Sequence, residues 1–345
     1  MWVGSPPGHA PYPQRRGRDE DMSNTLQTHP AEGLVDRGGR PSRRRRTARI
    51  SRGAPYLFMA PAMLLFTGFL LVPIVYAAWL SLHASRRSGG GILGERIVTF
   101  VGFENYARAL SAPELYASLG RMGVYGLLVV PTMLGLALLF ALLLDLPRIR
   151  LRTVTRVGIF LPYAVPGVIA SLLWGFLYLP RVSPIRRVFD EVGLTPPDFF
   201  GSTSIFFSVA NIAVWGGVGF NMIVIYTALR AIPTELYDSA RIDGCNEWQI
   251  AWRIKIPLLM PALVMTGIFS MIATLQVFTE PQTLSPLTNV ISSSWMPLQK
   301  IYTDAFVLND VYSAAATSIA LAGVSLILSL IVLTVMQRRA FGENK

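Results

Sequence analysis

The sequence predicts an all-α polytopic membrane protein with six transmembrane helices, and three observations predict it. First, 52% of its 345 residues are hydrophobic and only 15% are charged, with a mean hydropathy of +0.45. A soluble domain carries about a quarter charged residues. Second, six apolar stretches (residues 56–82, 123–144, 157–179, 204–229, 257–278 and 312–336) contain no Asp, Glu, Lys or Arg. Each is long enough to cross roughly 30 Å of hydrocarbon. Third, the charges gather between these stretches, and alternate connections differ in sign.

The chain opens with a basic tail. Residues 1–53 hold eleven arginines against five acidic residues and are rich in Pro and Gly, with no apolar periodicity. Such a segment buries too little surface to offset its chain entropy and is expected to be disordered. The pI near 10.1 would fit nucleic-acid binding, but over half of the +11 excess lies in this tail. The run Arg43-Arg44-Arg45-Arg46 therefore reads first as a cytoplasmic anchor touching anionic lipid headgroups. A nucleic-acid patch or a receptor-read address are the alternatives. The first apolar stretch is too long for a secretory signal peptide and lacks a cleavage-like end.

Residues 54–122 then form the first membrane helix and an external loop, and 123–340 the rest of the transmembrane core. Loop charge orients them. Arg148, Arg150, Arg152 and Arg156 face only Asp145 in one connection, and Arg338, Arg339 and Lys345 follow the last helix. The alternate connections are balanced at 180–203 and acidic at 279–310, while 83–122 is the exception, with five arginines against three glutamates. The sum places both termini in the cytoplasm. Pro61, Pro73, Pro131, Pro162, Pro166 and Pro261 punctuate the helices, tolerable where neighbours satisfy the freed carbonyls. Gly216, Gly217 and Gly219 crowd the fourth helix, permitting either close helix approach or an opening beside a cavity.

Between the fourth and fifth helices lies an amphipathic island at 235–261. It carries Asp238, Arg241, Asp243, Glu247, Arg253 and Lys255. It cannot cross a bilayer, and its regularity predicts a short helix, a turn and a second helix at the membrane surface. A plain interfacial helix is the simpler alternative.

Several chemistries are missing from the sequence. There is no G-x-x-x-x-G-K-[ST] phosphate loop, no H-E-x-x-H and no G-x-S-x-G, so no enzyme of those classes is supported. Cys245 is the single cysteine, and His9, His29 and His83 lie far from any ligand cluster; no metal or cofactor is expected on this chain. The six stretches offer no ionisable group for a proton or sodium relay, which argues against a self-contained secondary transporter. A membrane scaffold is a third class. Asn211, Asn221 and Gln276 are the main amides at helix depth; each either bonds a neighbouring helix or lines a hydrated path. A membrane protein with a docking island and no engine implies a partner that supplies energy.

The island also carries a spacing. Asp238-Ser239-Ala240, three residues, Gly244, nine residues, then Ile254-x-Ile256-Pro257 resembles the E-A-A-x3-G-x9-I-x-L-P loop of ABC-importer permeases. I-P-T-E-L-Y, R-I-D-G, V-G-F-E-N-Y at 101–106 and F-L-P-Y-A-V-P at 160–166 are similar to the carbohydrate branch, in its first-subunit form of maltose and glycerol-phosphate type. The resemblance spans residues 54–340. It implies the type I importer permease fold in a bacterial plasma membrane. It also implies a second permease, two ATPase subunits holding ATP and Mg, and an external solute-binding protein. Glu235, Asp238, Ser239, Ala240, Asp243, Gly244, Ile254 and Pro257 would then form the ATPase-coupling loop, residues 235–257. Gly244 would make the tight turn where a side chain or a fixed φ would clash, and Pro257 would stop the second coupling helix and start the fifth span. The resemblance places the substrate path at Ala213, Gly216, Gly217 and Phe220 on the fourth helix, with Trp215 and Asn221 adjacent, and at Phe269, Ile272 and Gln276 on the fifth. Ser285-Pro286-Leu287 stands where the family often carries Gly-Gly-Pro.

Overall fold

The computed structural model describes residues 54–87, 95–146 and 151–340. The expected disordered tail lies outside the described residues. The chain divides after Phe58 into two units; only the start of the first span is described in the first, and the architecture below belongs to the second.

Among the described residues, five helices are long and apolar enough to cross a membrane: Tyr56–Ser81, Pro113–Asp145, Ser204–Arg230, Met260–Leu287 and Val311–Ile331. The sixth crossing is not the single helix expected over 157–179. It is a pair, Arg152–Ala164 and Gly167–Tyr178, bent by 97°. The cause is local. Val165 precedes Pro166, whose ring disfavours a helical neighbour, and Val165 is extended at φ −79, ψ 126.

Two other prolines are absorbed without a break. The first span passes through a π-turn, Thr67–Leu71, just before Pro73. The island passes through another, Ala251–Lys255, just before Pro257. In both, the residue ahead of the proline donates its N–H five residues back, Val72 to Thr67 O and Ile256 to Ala251 O. The widened turn makes room for the ring. Pro257 thus lies inside the short helix Ile256–Leu258 and does not stop the coupling helix, contrary to expectation. The break comes at Leu259, and Pro261 sits in the first turn of the next helix, Met260–Leu275.

The second and fourth spans pack along their lengths and carry the core. Ala137 and Ala141 are fully buried against Val218, Met222, Ile225 and Leu229. Between membrane spans such contacts stabilise through close van der Waals packing, since lipid offers an equally apolar alternative. Gly219 permits the closest approach. A Cβ there would overlap Ile159 O and sit 2.7 Å from Phe160 Cα, so the near half of the bent third span rests directly on the fourth.

A small antiparallel hairpin, His83–Arg87 with Arg96–Phe100, follows the first span. This hairpin was not expected from the sequence. Gly102 turns the chain out of the hairpin at φ +58, where glycine is unstrained. Asn105 is buried and donates to Ser81 O (2.9 Å) and His83 O (2.7 Å). The V-G-F-E-N-Y motif is therefore a joint that ties the helix Glu104–Ser111 to the end of the first span.

Candidate functional site: a cavity among the spans and the island beyond it

A cavity of about 490 Å³ opens between the second, third, fourth and fifth spans. The bend at Val165 helps form its wall, since Pro162, Tyr163, Val165 and Gly167 all line it. The fifth span contributes through a helix end: its first helix stops at Leu275, with Gln276 as the cap at φ −106, ψ 16. Irregular backbone at this depth is tolerated where it borders a cavity.

Seven of the nine residues expected on a substrate path come together here. Ala213, Gly216, Gly217, Phe220, Asn221, Phe269 and Gln276 all line the cavity. Trp215 and Ile272 do not. Trp215 packs edge-on against Trp174, ring centres 5.9 Å apart, and Ile272 is half-buried elsewhere. The three glycines separate by role. A Cβ on Gly216 would meet no described atom within 4 Å, one on Gly217 would meet the flexible end of Met133 at 2.8 Å, and Gly219 is a packing contact.

The wall is apolar with a few polar groups, as small-molecule sites are. Phe220 and Tyr163 stack with centres 5.1 Å apart and planes 20° from parallel. Asn221 is buried, donates to Gly217 O at 3.1 Å and faces Ser270 Oγ at 3.4 Å. Asn211, by contrast, takes the packing role and donates to Tyr178 Oη at 2.9 Å. Glu280 also lines the cavity, and none of the lining residues is Lys, Arg or His. The fifth crossing extends to Leu287, so the expectation of a membrane core without ionisable groups is corrected. Hydropathy alone ends this span at Phe278 and leaves Glu280 among the loop charges.

The island forms as a helical hairpin. The first helix, Glu235–Ile242, ends in a Schellman closure: Cys245 N–H bonds Ala240 O (2.9 Å) and Gly244 N–H bonds Arg241 O (3.1 Å). Gly244 sits at φ +82, and a Cβ there would meet no described atom within 4 Å. Backbone conformation requires the glycine here, since a positive φ is open to it and strained for other residues. A capping box follows at once. Asn246 Oδ1 accepts from Gln249 N–H (2.8 Å) and Gln249 Oε1 accepts from Asn246 N–H (2.9 Å), starting the second helix, Glu247–Ile250. Arg241 bridges the two helices, 2.8 Å from Asp238 and 3.0 Å from Glu247. The Glu247 hydrogen bond, with Asp238 behind it, holds the guanidinium above its ordinary pKa. Exposed pairs of this kind contribute about 0.2–1 kcal/mol each.

Of the residues expected to couple to an ATPase, Glu235, Asp238, Ser239, Asp243, Gly244 and Pro257 are exposed, whereas Ala240 is buried and Ile254 packs beside Tyr237 and Ile250. Ser239 Oγ bonds back to Glu235 O at 2.9 Å. Asp238 keeps 66% of its side chain exposed despite its pairing. Beside these polar groups the island presents Ile242 (87% exposed), Trp248 (70%) and Trp252 (55%), the rings of the two tryptophans in edge contact at 5.7 Å.

One cluster at the island escaped sequence reasoning. Lys255 Nζ lies 2.6 Å from Asp145 Oδ2, with only 5% and 8% of the two side chains exposed. Arg230 lies 3.8 Å from the same carboxylate, and the Tyr237 ring covers the ammonium at 4.8 Å. Burial, and then the Asp145 charge, push the Tyr237 phenol above its ordinary pKa. The available signal was context: Lys255 sits between Ile254 and Ile256, and Asp145 ends an unbroken leucine run.

Residues 124–341 match the family described as "Binding-protein-dependent transport system inner membrane component". The chain is 31% identical over 224 residues to the trehalose/maltose transport system permease protein MalF of Thermococcus litoralis, covering 65% of this chain and 74% of that one. It is 27% identical over 322 residues to the diacetylchitobiose uptake system permease protein NgcF of Streptomyces coelicolor, covering 90% and 89%. It is 28% identical over 229 residues to the osmoprotective compounds uptake permease protein GgtC of Synechocystis, covering 64% and 78%. Its fold is shared with a chain of a bacterial alginate ABC transporter solved with an alginate-bound periplasmic protein, at a TM-score of 0.72 and 19% identity, covering 83% of this chain and 94% of that one. By these matches and by its bent, multi-span core, the chain belongs to the family of binding-protein-dependent transport system inner membrane components.

Proposed function

We propose that this chain is the permease subunit of an ATP-driven importer for a sugar or a related polyhydroxylated solute in a bacterial plasma membrane, with both termini cytoplasmic. It pairs with a second permease, two ATPase subunits that bind ATP and Mg, and an external solute-binding protein. The observation that carries the reading is the sequence of structures along the fourth span, from a cavity at Gly216 and Phe220 to a closed helical hairpin at Gly244. Relatives named for trehalose and maltose and for diacetylchitobiose support the cargo class. Tyr163 and Phe220 offer ring faces to the C–H face of a sugar, while Asn221, Gln276 and Glu280 offer hydrogen-bonding groups.

The mechanism follows from the arrangement. Closure of the ATPase pair displaces the hairpin, which the Schellman closure, capping box and Arg241 bridge keep as one body. That displacement rocks the spans between two states with opposite access to the cavity. GgtC, named for osmoprotective compounds, supports a second cargo reading, a non-sugar osmolyte. A self-contained secondary transporter would use Glu280 as its proton site.

The test is uptake by the complex purified from its native membrane and reconstituted in proteoliposomes with its binding protein, using radiolabelled trehalose, maltose and diacetylchitobiose. ATP-dependent accumulation of one of them is expected, and Gly216→Trp, which fills the cavity, abolishes it. Accumulation that ignores ATP and collapses with a protonophore contradicts the importer reading.

A further inference from the structure

We infer that the buried Asp145–Lys255 pair is the joint that makes the island move with the cavity wall; this rests on the importer reading above. Four elements meet at this point. Asp145 ends the second span and Arg230 the fourth, Tyr237 belongs to the first island helix, and Lys255 to the π-turn that follows the second. The ammonium is held on one side by a carboxylate at 2.6 Å and on another by a ring face at 4.8 Å.

An apolar contact tolerates sliding by a fraction of a turn, because its energy depends on area and not direction. A buried ion pair does not, since a small separation leaves two charges desolvated and unpaired. The pair therefore fixes the island to the spans in one register. The second span then runs unbroken from Asp145 to Met133, Val129 and Tyr125, all of which wall the cavity. A push on the island reaches Met133 of the solute chamber through one helix, whose internal proline, Pro131, lies beyond that contact. Asp145 and Lys255 are positioning residues that touch neither solute nor nucleotide.

The test is a distance measured by pulsed electron resonance in the full complex in nanodiscs. Nitroxides go on Leu236→Cys in the island and Leu139→Cys on the second span, both exposed, in a Cys245→Ser background. One narrow distance is expected, unchanged between the nucleotide-free complex and the complex trapped with ATP, Mg and vanadate. Lys255→Arg keeps that distance. Lys255→Met and Asp145→Asn broaden it and make it shift with nucleotide. Should those variants fold poorly, the double variant Asp145→Asn/Lys255→Met leaves no unpaired buried charge and is expected to broaden likewise. A double or single variant with the original distance and width in both states overturns the joint. Failure of any ATPase to co-purify sinks the importer reading instead, and the nucleotide-free widths still decide the joint.

Discussion

Single residues explain what the motif at the island is for. Gly244 is the only position of the hairpin that adopts positive φ, and a β-branched residue there costs roughly 1–2 kcal/mol or more in backbone strain. Gly244→Val is expected to open the hairpin without affecting membrane insertion, seen as faster proteolysis between the two helices. Removing the following cap, Asn246→Ala, is expected to cost about 1 kcal/mol of helix stability and to weaken ATPase association in a pull-down without abolishing it. On the fourth span, Gly219→Leu drives a side chain into the Ile159–Phe160 backbone and is expected to lower the yield of folded protein in detergent, whereas Gly216→Leu leaves the yield unchanged. Glu280→Ala is expected to reduce solute uptake at least tenfold, about 1.4 kcal/mol of lost binding, while the assembled complex is recovered in full.

The arginines of residues 83–122 also acquire a purpose at this scale. Residues 83–122 break the positive-inside pattern because several of their arginines are structural. Arg86 and Arg108 flank Glu104 at 2.6 and 3.2 Å, and Arg121 donates to Trp295 O (2.7 Å) and Ser294 O (2.8 Å). Charge counting sees only sign, so it cannot separate an orienting arginine from a clamping one.

At the level of elements, hydropathy located all six crossings because the bilayer demands unbroken apolar length. It could not distinguish a straight crossing from a bent one. The prolines were visible, yet Pro73, Pro166 and Pro257 have three outcomes: a π-turn within a span, a 97° bend and a π-turn within the island. What decides is the neighbourhood; the bend at Pro166 opens onto the cavity and has Gly219 beneath its near half. The hairpin at His83–Arg87 was missed because its first strand, His-Ala-Ser-Arg-Arg, is short and polar, although Ile97-Val98-Thr99-Phe100 of the second strand carries strand-forming residues. The glycine cluster was legible as a feature but not as three separate roles, since space around a glycine is a property of its neighbours. The helical hairpin at 235–257 was legible through its spacing, and the structure changed the role of Pro257.

On the scale of the whole molecule, the chain is one part of a larger machine. The most apolar window of its first span has no buried residue within the chain, and the exposed Val168, Ile169, Leu172 and Phe176 leave one face of the third crossing bare. Lipid or another subunit must cover them. The Ile242, Trp248 and Trp252 surface of the island is equally bare but is mixed with Asp238 and Arg253, as protein-docking faces are. In the importer proposed above, transport against a gradient depends on that docking. The most direct measurement is therefore recovery of an affinity-tagged chain from its native membrane, with partners identified by mass spectrometry. An ATPase subunit bearing a phosphate-binding loop should co-purify with the unaltered chain and be lost with Gly244→Val, while the second permease remains bound. Recovery of no such ATPase, or its undiminished recovery with the Gly244→Val chain, would contradict the account.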